Sequence, residues 1–507
     1  MKQHRKTLGI AALAFACLCI TTAQATPTDR IIIKVSETMR PAVLADGAPA
    51  PRARERVSSL SVAAGHEVIY LRAMSGGADV VRLPEAMPVE QVQAMAAAMA
   101  QLPGVEYAEP DRRVFAATLP NDPDFSAQWN LEAVSRTAPL NYGIDALGAW
   151  EISTGEPVTV AVLDTGILDH LDLAEKVLPG YDFVDRDSDP SDPGDFVTEG
   201  EASDSCPETN SSWHGIHVSG TITAATNNGF GVAGISWGAR ILPVRVLGKC
   251  GGFVSDIVDA MRWSAGLPVS GVPANPHPSR ILNLSLGGEG DCIGPGFASL
   301  RDAIRDVNAA GAVVIVAAGN GEEDLAVLPY APAVCDGVVT VAATDRQGRR
   351  AGYSGFGEAV RLSAPGGGGG NAILSTLDGG ETTPLQDDAI GARIGTSMAT
   401  AHVSGVAALV LGYDPGLNRD EVVYLLASHT TAFPVSSDCA VEGGCGSGIV
   451  NAARALEATV GFTGLPPVSS GGGGGAFSVA WLLGFYLFAV AFIHNRRLAQ
   501  PAPATAP

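Results

Sequence analysis

The chain has 507 residues, enough for more than one domain, and 46% of them are hydrophobic. Its 32 basic and 53 acidic residues leave a formal charge of −21 at pH 7. That balance excludes nucleic-acid binding, which needs a basic surface. The 61 glycines suit a compact, loop-rich α/β enzyme.

Residues 1–25 read as an export leader. Lys2, Arg5 and Lys6 form the charged start, Leu8 to Ile20 the apolar core, and Ala23-Gln24-Ala25 a small-x-small cleavage site. Cys17 and Cys19 lie in that core and would leave with it. Residues 26–116 read as a separate unit. Arg30–Val35 has the composition of a strand. Pro88 then opens a helix in which Val89, Val92, Ala96, Met99 and Leu102 keep helical spacing. Pro103-Gly104 stops it, and Val105–Asp111 reads as a short strand and turn.

Val158–Leu163 is apolar on both faces, as a central parallel strand is, and it ends in Asp164-Thr165-Gly166. The aspartate therefore falls at the carboxyl end of a strand, where open α/β sheets place their sites. The run Asp182–Asp195 packs six aspartates into 14 residues, Asp182, Asp185 and Asp187 among them. Such charges repel, and a calcium ion with its six to eight oxygen ligands would relieve them. His214-Gly215 then opens an apolar stretch. Further on come Ser285–Gly288, an apolar run Ala312–Ala318 ending in Gly319-Asn320, and Gly395-Thr396-Ser397 before the apolar run Val403–Leu411. That last run reads as a buried helix. It puts Ser397 near a helix N-terminus, whose free N–H groups and dipole favour the negative charge formed when a serine attacks a carbonyl. A hydroxyl alone is a poor nucleophile, so a base and an orienting acid are required. His214 and Asp164 supply them. The order Asp, His, Ser differs from the orders of the α/β-hydrolases and of chymotrypsin. The Gly366–Gly370 run is expected to be a surface loop.

Six cysteines remain after the leader: Cys206, Cys250, Cys292, Cys335, Cys439 and Cys445. An even number in an exported chain implies disulfides, and six allow 15 connectivities. Sequential pairing is expected: Cys206–Cys250, Cys292–Cys335 and Cys439–Cys445. After about Val460 a Gly/Pro linker (463–475) leads to Ala476–Ile493, which has no charged residue and is just long enough to span a bilayer. Arg496 and Arg497 follow and favour a cytoplasmic end.

The Asp164, His214 and Ser397 segments resemble the signature motifs of the subtilisin-like serine proteases, the subtilases, and two further segments match in the same order. The resemblance implies an α/β fold: a doubly wound parallel sheet over residues 117–462, preceded by a small α+β, ferredoxin-like propeptide. Ser397 would be the nucleophile, His214 the base, and Asp164 its orienting acid. The Asn320 amide and the Ser397 N–H would bind the oxyanion. Ser285, Leu286, Gly287, Gly288 and Gly319 would bind the substrate backbone, with the Tyr330–Pro332 region lining the pocket.

The same resemblance makes residues 26–116 an inhibitory propeptide, cut between about Phe115 and Pro120. It gives two calcium sites, one from Asp182, Asp185 and Asp187, the other from Asp122, Asp172 and Asn228. It makes residues 476–497 a Gly-Gly-type sorting segment, held in the membrane at least transiently. His217 and His402 are expected to be packed core histidines. Ile216, Ser219 and Ala401 depart from the usual Thr, Ala and Pro without removing a catalytic group. The implied protein is a monomeric, secreted or cell-surface, self-processing endopeptidase acting on unfolded polypeptides. The alternatives are a membrane-tethered, non-catalytic binding protein on the same scaffold and a maturation protease with one dedicated substrate.

Overall fold

The computed structural model describes residues 28–36, 60–63, 65–75, 77–87, 89–111, 119–138, 140–192, 210–248 and 251–465. The expected leader, Cys206 and Cys250, and the 476–497 segment lie outside them. Among the described residues no helix is long and apolar enough to cross a membrane. The chain divides into two compact units at Thr118–Leu119.

The first unit is a four-stranded antiparallel sheet. Its strands are β1 (Thr28–Val35), β2 (Ile69–Ala73), β3 (Ala78–Met87) and β4 (Val105–Pro110), in the order β2-β3-β1-β4. Residues 60–63 are helical, and α1 (Val89–Ala100) connects β3 to β4. This βαββαβ order is the ferredoxin-like arrangement. Ile31 and Ile33 of β1 pack with Val92, Ala96 and Met99 of α1, so the period of two on the strand meets the period of 3.6 on the helix.

The second unit is built on seven parallel strands: β5 (Thr159–Asp164), β6 (Tyr181–Asp182), β7 (Arg240–Arg245), β8 (Ile281–Leu284), β10 (Val313–Ala317), β12 (Val338–Thr344) and β13 (Val360–Pro365). Their order is β13-β12-β10-β8-β5-β7-β6. Alternate residues of each strand face opposite cores. Val160 and Val162 join one core with Val313 and Ile315, while Ala161 and Leu163 join the other with Val314 and Val316. The first core holds α2 (Ala146–Trp150), α3 (His214–Thr223) and α6 (Thr396–Tyr413); the second holds α4 (Val254–Ser264) and α5 (Ala298–Ala309). Two buried faces explain why these strands are predominantly apolar.

From β5 the chain builds outward first to β6 and β7, then to β8 and beyond, so the strand order reverses between β5 and β8. The crevice at the carboxyl ends of that pair is the position open α/β sheets use for ligands. Two small antiparallel ribbons border it: β9 (Gly288–Glu289) with β11 (Tyr330–Ala331), and β14 (Ile373–Leu377) with β15 (Ala389–Arg393).

Candidate active site

Asp164 is the last residue of β5 and is fully buried. Its Oδ1 accepts from Thr165 N at 2.8 Å and lies 2.7 Å from His214 Nδ1, the first residue of α3. The acid is thus fixed by its own strand end and the imidazole by a helix start. Thr165 couples the two elements. Its hydroxyl accepts from Gly215 N at 3.0 Å and donates to Asp192 Oδ2 at 2.7 Å. Helix α3 approaches so closely that a Cβ on Gly215 would lie 2.2 Å from Gly166 O, and Gly166 itself has φ +116°. Both glycines flanking the pair are therefore required by the backbone approach.

Ser397 is the second residue of α6 and is buried except for its edge toward the crevice (6% exposed). Its Oγ donates to Ser285 O at 3.3 Å, and Ser285 Oγ donates to Ser397 O at 3.1 Å. Behind them Asn283 Nδ2 donates to Ser285 Oγ at 3.0 Å, and Ser404 Oγ to Asn283 Oδ1 at 2.8 Å. This buried polar chain registers the end of β8 against α6. Asn320 Oδ1 accepts from both Thr396 N and Thr396 Oγ1 at 2.9 Å. The Nδ2 amide lies close to the same turn, since a Cβ on Gly395 would be 3.6 Å from it.

The glycine run expected on the surface is only partly there. Gly366 and Gly367 are buried, and both carbonyls accept from Tyr353 Oη at 2.8 Å. Gly395 N donates to Gly366 O at 3.0 Å, so the run supports the turn that carries Ser397. Nothing in the run's local composition signals that contact.

Gly287 is exposed and Gly288 half-buried, and β9 pairs Gly288 with Ala331 and Glu289 with Tyr330. The Tyr330 hydroxyl donates to Gly287 O at 2.7 Å. Its ring lies where a Cβ on Gly287 would meet it at 2.4 Å and one on Gly319 at 3.2 Å. The gap between Ser285–Gly288 and Gly319–Asn320 is thus bounded by this ring. Cys292 and Cys335, just beyond the two ribbon strands, are disulfide-bonded with Cα atoms 5.1 Å apart. Cys439–Cys445 is likewise bonded.

His217 and His402 are fully buried. His402 Nδ1–H donates to Met398 O at 2.7 Å, and its Nε2 accepts from Asn130 at 2.8 Å. His217 Nε2–H donates to Gly391 O at 3.2 Å. Burial pushes His217 down to about 3 and His402 down to about 4. Both are neutral at working pH and belong to the packing. Ile216, Ser219 and Ala401 are buried in the same helices.

In the acidic run Asp182 and Asp185 both pair with the buried Arg245 guanidinium, at 2.5 Å and 2.8 Å. Asp187 pairs its backbone with that of Asp182. Asp122 and Asp172 are different. Both are buried, and both converge on the 226–232 loop. Asp122 accepts from Asn227 N and Asn228 N at 2.9 Å and 3.2 Å. Asp172 accepts from Asn228 Nδ2 and Val232 N, each at 2.8 Å. Burial, with the Asp122 charge added, raises the Asp172 carboxyl above the usual carboxylate range. Among the described residues no group of three or more His, Cys, Asp and Glu is placed to hold a metal ion.

The Subtilase family model matches residues 155–448. The extracellular basic protease of Dichelobacter nodosus is 39% identical over 441 residues, covering 82% of this chain and 70% of its own. The extracellular protease of Xanthomonas campestris pv. campestris is 41% identical over 401 residues, covering 77% of this chain and 66% of its own. A solved protease structure from Pseudoalteromonas arctica is 43% identical with a TM-score of 0.61, covering 68% of this chain and 100% of that one. The matched span carries the Asp164–His214 pair, Asn320 and the Ser397 turn, on the same kind of parallel sheet. The chain belongs to the subtilase family of subtilisin-like serine proteases.

Proposed function

We propose that this chain is an exported, self-processing serine endopeptidase that hydrolyses extended or unfolded polypeptides. The observation that carries the reading is the Asp164–His214 hydrogen bond at the switch point of the sheet, with Ser397 delivered to the same crevice by α6. Ser397 Oγ attacks the scissile carbonyl. His214 takes its proton and returns it to the leaving amine, and Asp164 holds the imidazole with its proton on Nδ1. The Asn320 Nδ2 amide and the Ser397 N–H receive the oxyanion. Substrate backbone adds as a strand beside Ser285–Gly288, and the Tyr330 ring sets the depth of the adjoining pocket. The leader supports export, as do relatives named as extracellular proteases. Residues 26–116 act as the inhibitory propeptide, and residues 476–497 as a removable membrane segment.

Turnover of an extended chromogenic peptide tests this reading. Wild type should cleave it, and Asn320→Ala should lower kcat by ~10²–10³ with KM little changed. A matured wild type that cleaves no peptide would sink the protease reading in favour of a binding protein. A variant that changes KM alone would remove Asn320 from the oxyanion site.

We also propose structural calcium at the 226–232 loop. Asp122, Asp172 and Asn228 would hold it together with loop carbonyls, and its charge would offset two buried carboxylates with no arginine or lysine paired to either among the described residues. The Asp182–Asp187 trio fits a cation less well, because Arg245 already neutralises two of its carboxylates. Saturating calcium at about 100 Kd would stabilise the fold by about 2.7 kcal/mol. Chelation should therefore lower the melting temperature of wild type and leave that of Asp172→Asn unmoved. An equal response in both would place the ion elsewhere.

A further inference from the structure

Trp213 immediately precedes the catalytic histidine and has φ +47°, ψ +40°. Bulky L-residues adopt this left-handed conformation only where their surroundings enforce it. Here the surroundings are visible. The side chain is 1% exposed and packs with Ile167, Leu168 and Ile216. Its indole N–H donates to Gly380 O at 2.6 Å. Gly380 lies in the 378–388 loop joining β14 to β15, and this loop is organised from within by one carboxylate. Asp378, 3% exposed, accepts from Gly380 N (2.8 Å), Leu385 N (2.9 Å) and Gln386 N (2.7 Å). The same loop takes hold of the backbone before Trp213, since Ser211 N donates to Glu381 O at 2.7 Å and Ser211 Oγ to Thr382 O at 2.9 Å. From β15, Arg393 Nη2 donates to Ser212 O at 2.7 Å.

We propose that the 378–388 loop is a clamp on the entry to α3, and that Trp213 and Asp378 are positioning residues that hold the His214 ring in register with Asp164. The chain of contacts is short: Asp378 shapes the loop, Gly380 O holds the indole, the indole fixes the left-handed turn, and the next residue is His214. Trp213 touches no reacting atom. Its effect falls on the placement of the base, hence on the chemical step rather than on substrate binding. This inference rests on the protease reading.

The test uses the full-length, exported and matured enzyme, counted by titration with a reagent that modifies the active serine. Trp213→Phe keeps an aromatic ring and removes the N–H to Gly380 O together with the pyrrole half of the indole. It is expected to lower kcat per titrated site about tenfold with KM within about twofold, and to shift the downfield proton signal of the His214–Asp164 hydrogen bond. Asp378→Asn, which leaves Trp213 intact, is expected to move both quantities in the same direction. An unchanged kcat per site with an unchanged proton signal in either variant overturns the clamp, as does an effect confined to KM or to melting temperature. If neither variant folds, the loop is a general folding element and the clamp is again overturned. A wild type with no titratable serine refutes the protease reading instead.

Discussion

Ser397→Ala should yield an exported chain that keeps its N-terminal unit, whereas wild type should lose everything up to a cut between about Phe115 and Pro120. Alanine removes the nucleophile and one weak hydrogen bond, to Ser285 O at 3.3 Å, and leaves the Ser285–Asn283–Ser404 chain in place. The fold should therefore survive while turnover falls by ~10⁴–10⁶. Intact masses of both proteins, expressed in a bacterium able to export them, read the outcome directly. Retention in the mutant alone makes Ser397 the nucleophile and maturation autocatalytic. Loss in both assigns maturation to another protease, and Ser397 must then fail on a peptide substrate for the role to stand. Retention in both, with no peptide cleavage by wild type, favours the non-catalytic scaffold. The same masses show whether the 476–497 segment is removed.

Much of the site was legible because its residues sit where local sequence is strongly constrained. Val160–Leu163 is apolar throughout because β5 is buried on both faces, and the next side chain, Asp164, is polar and marks the strand end. Gly166 and Gly215 stand beside Asp164 and His214 because the two backbones nearly touch. What was not legible is set by contacts between segments far apart in the chain. Arg245 shares the short strand β7 with apolar neighbours, and only the fold brings it to Asp182, 63 residues earlier. Gly366 looks like linker sequence until it is seen to brace Gly395. The β14–β15 ribbon alternates weakly and carries two glycine-rich ends, so its period gave little signal. Yet Ser375 and Thr376 bond the carbonyls of His217 and Ile216 at 2.8 Å and 2.7 Å, and its loop reaches Trp213. Neither the charge nor the spacing of the acidic run reveals that Asp192 is spent on Thr165 and Asp182 on Arg245.

Asp164→Asn tests the role of the acid without disturbing its volume. One oxygen, Asp164 Oδ1, accepts from both Thr165 N and His214 Nδ1. With the asparagine oxygen in that place both bonds survive and only the charge is lost. With the amide NH₂ there, the bond from Thr165 N is lost and the amide donates to Nδ1, which forces the ring proton onto Nε2. The imidazole then points an N–H, not a lone pair, at the position from which it must take the serine's proton. The imidazolium formed in the transition state also loses the opposing charge 2.7 Å away. Turnover should fall by ~10⁴ while KM changes little, because the acid is fully buried and touches no substrate. Under the self-processing reading, removal of residues 26–116 should slow in parallel. Melting temperature should move little by comparison, because Asp164 Oδ2 has no hydrogen-bond partner among the described residues to lose and at most the single bond from Thr165 N is broken. Near-normal turnover in Asp164→Asn would mean that His214 does not depend on this carboxylate, and the Asp164–His214 pair would then be a structural contact beside the reaction rather than part of it.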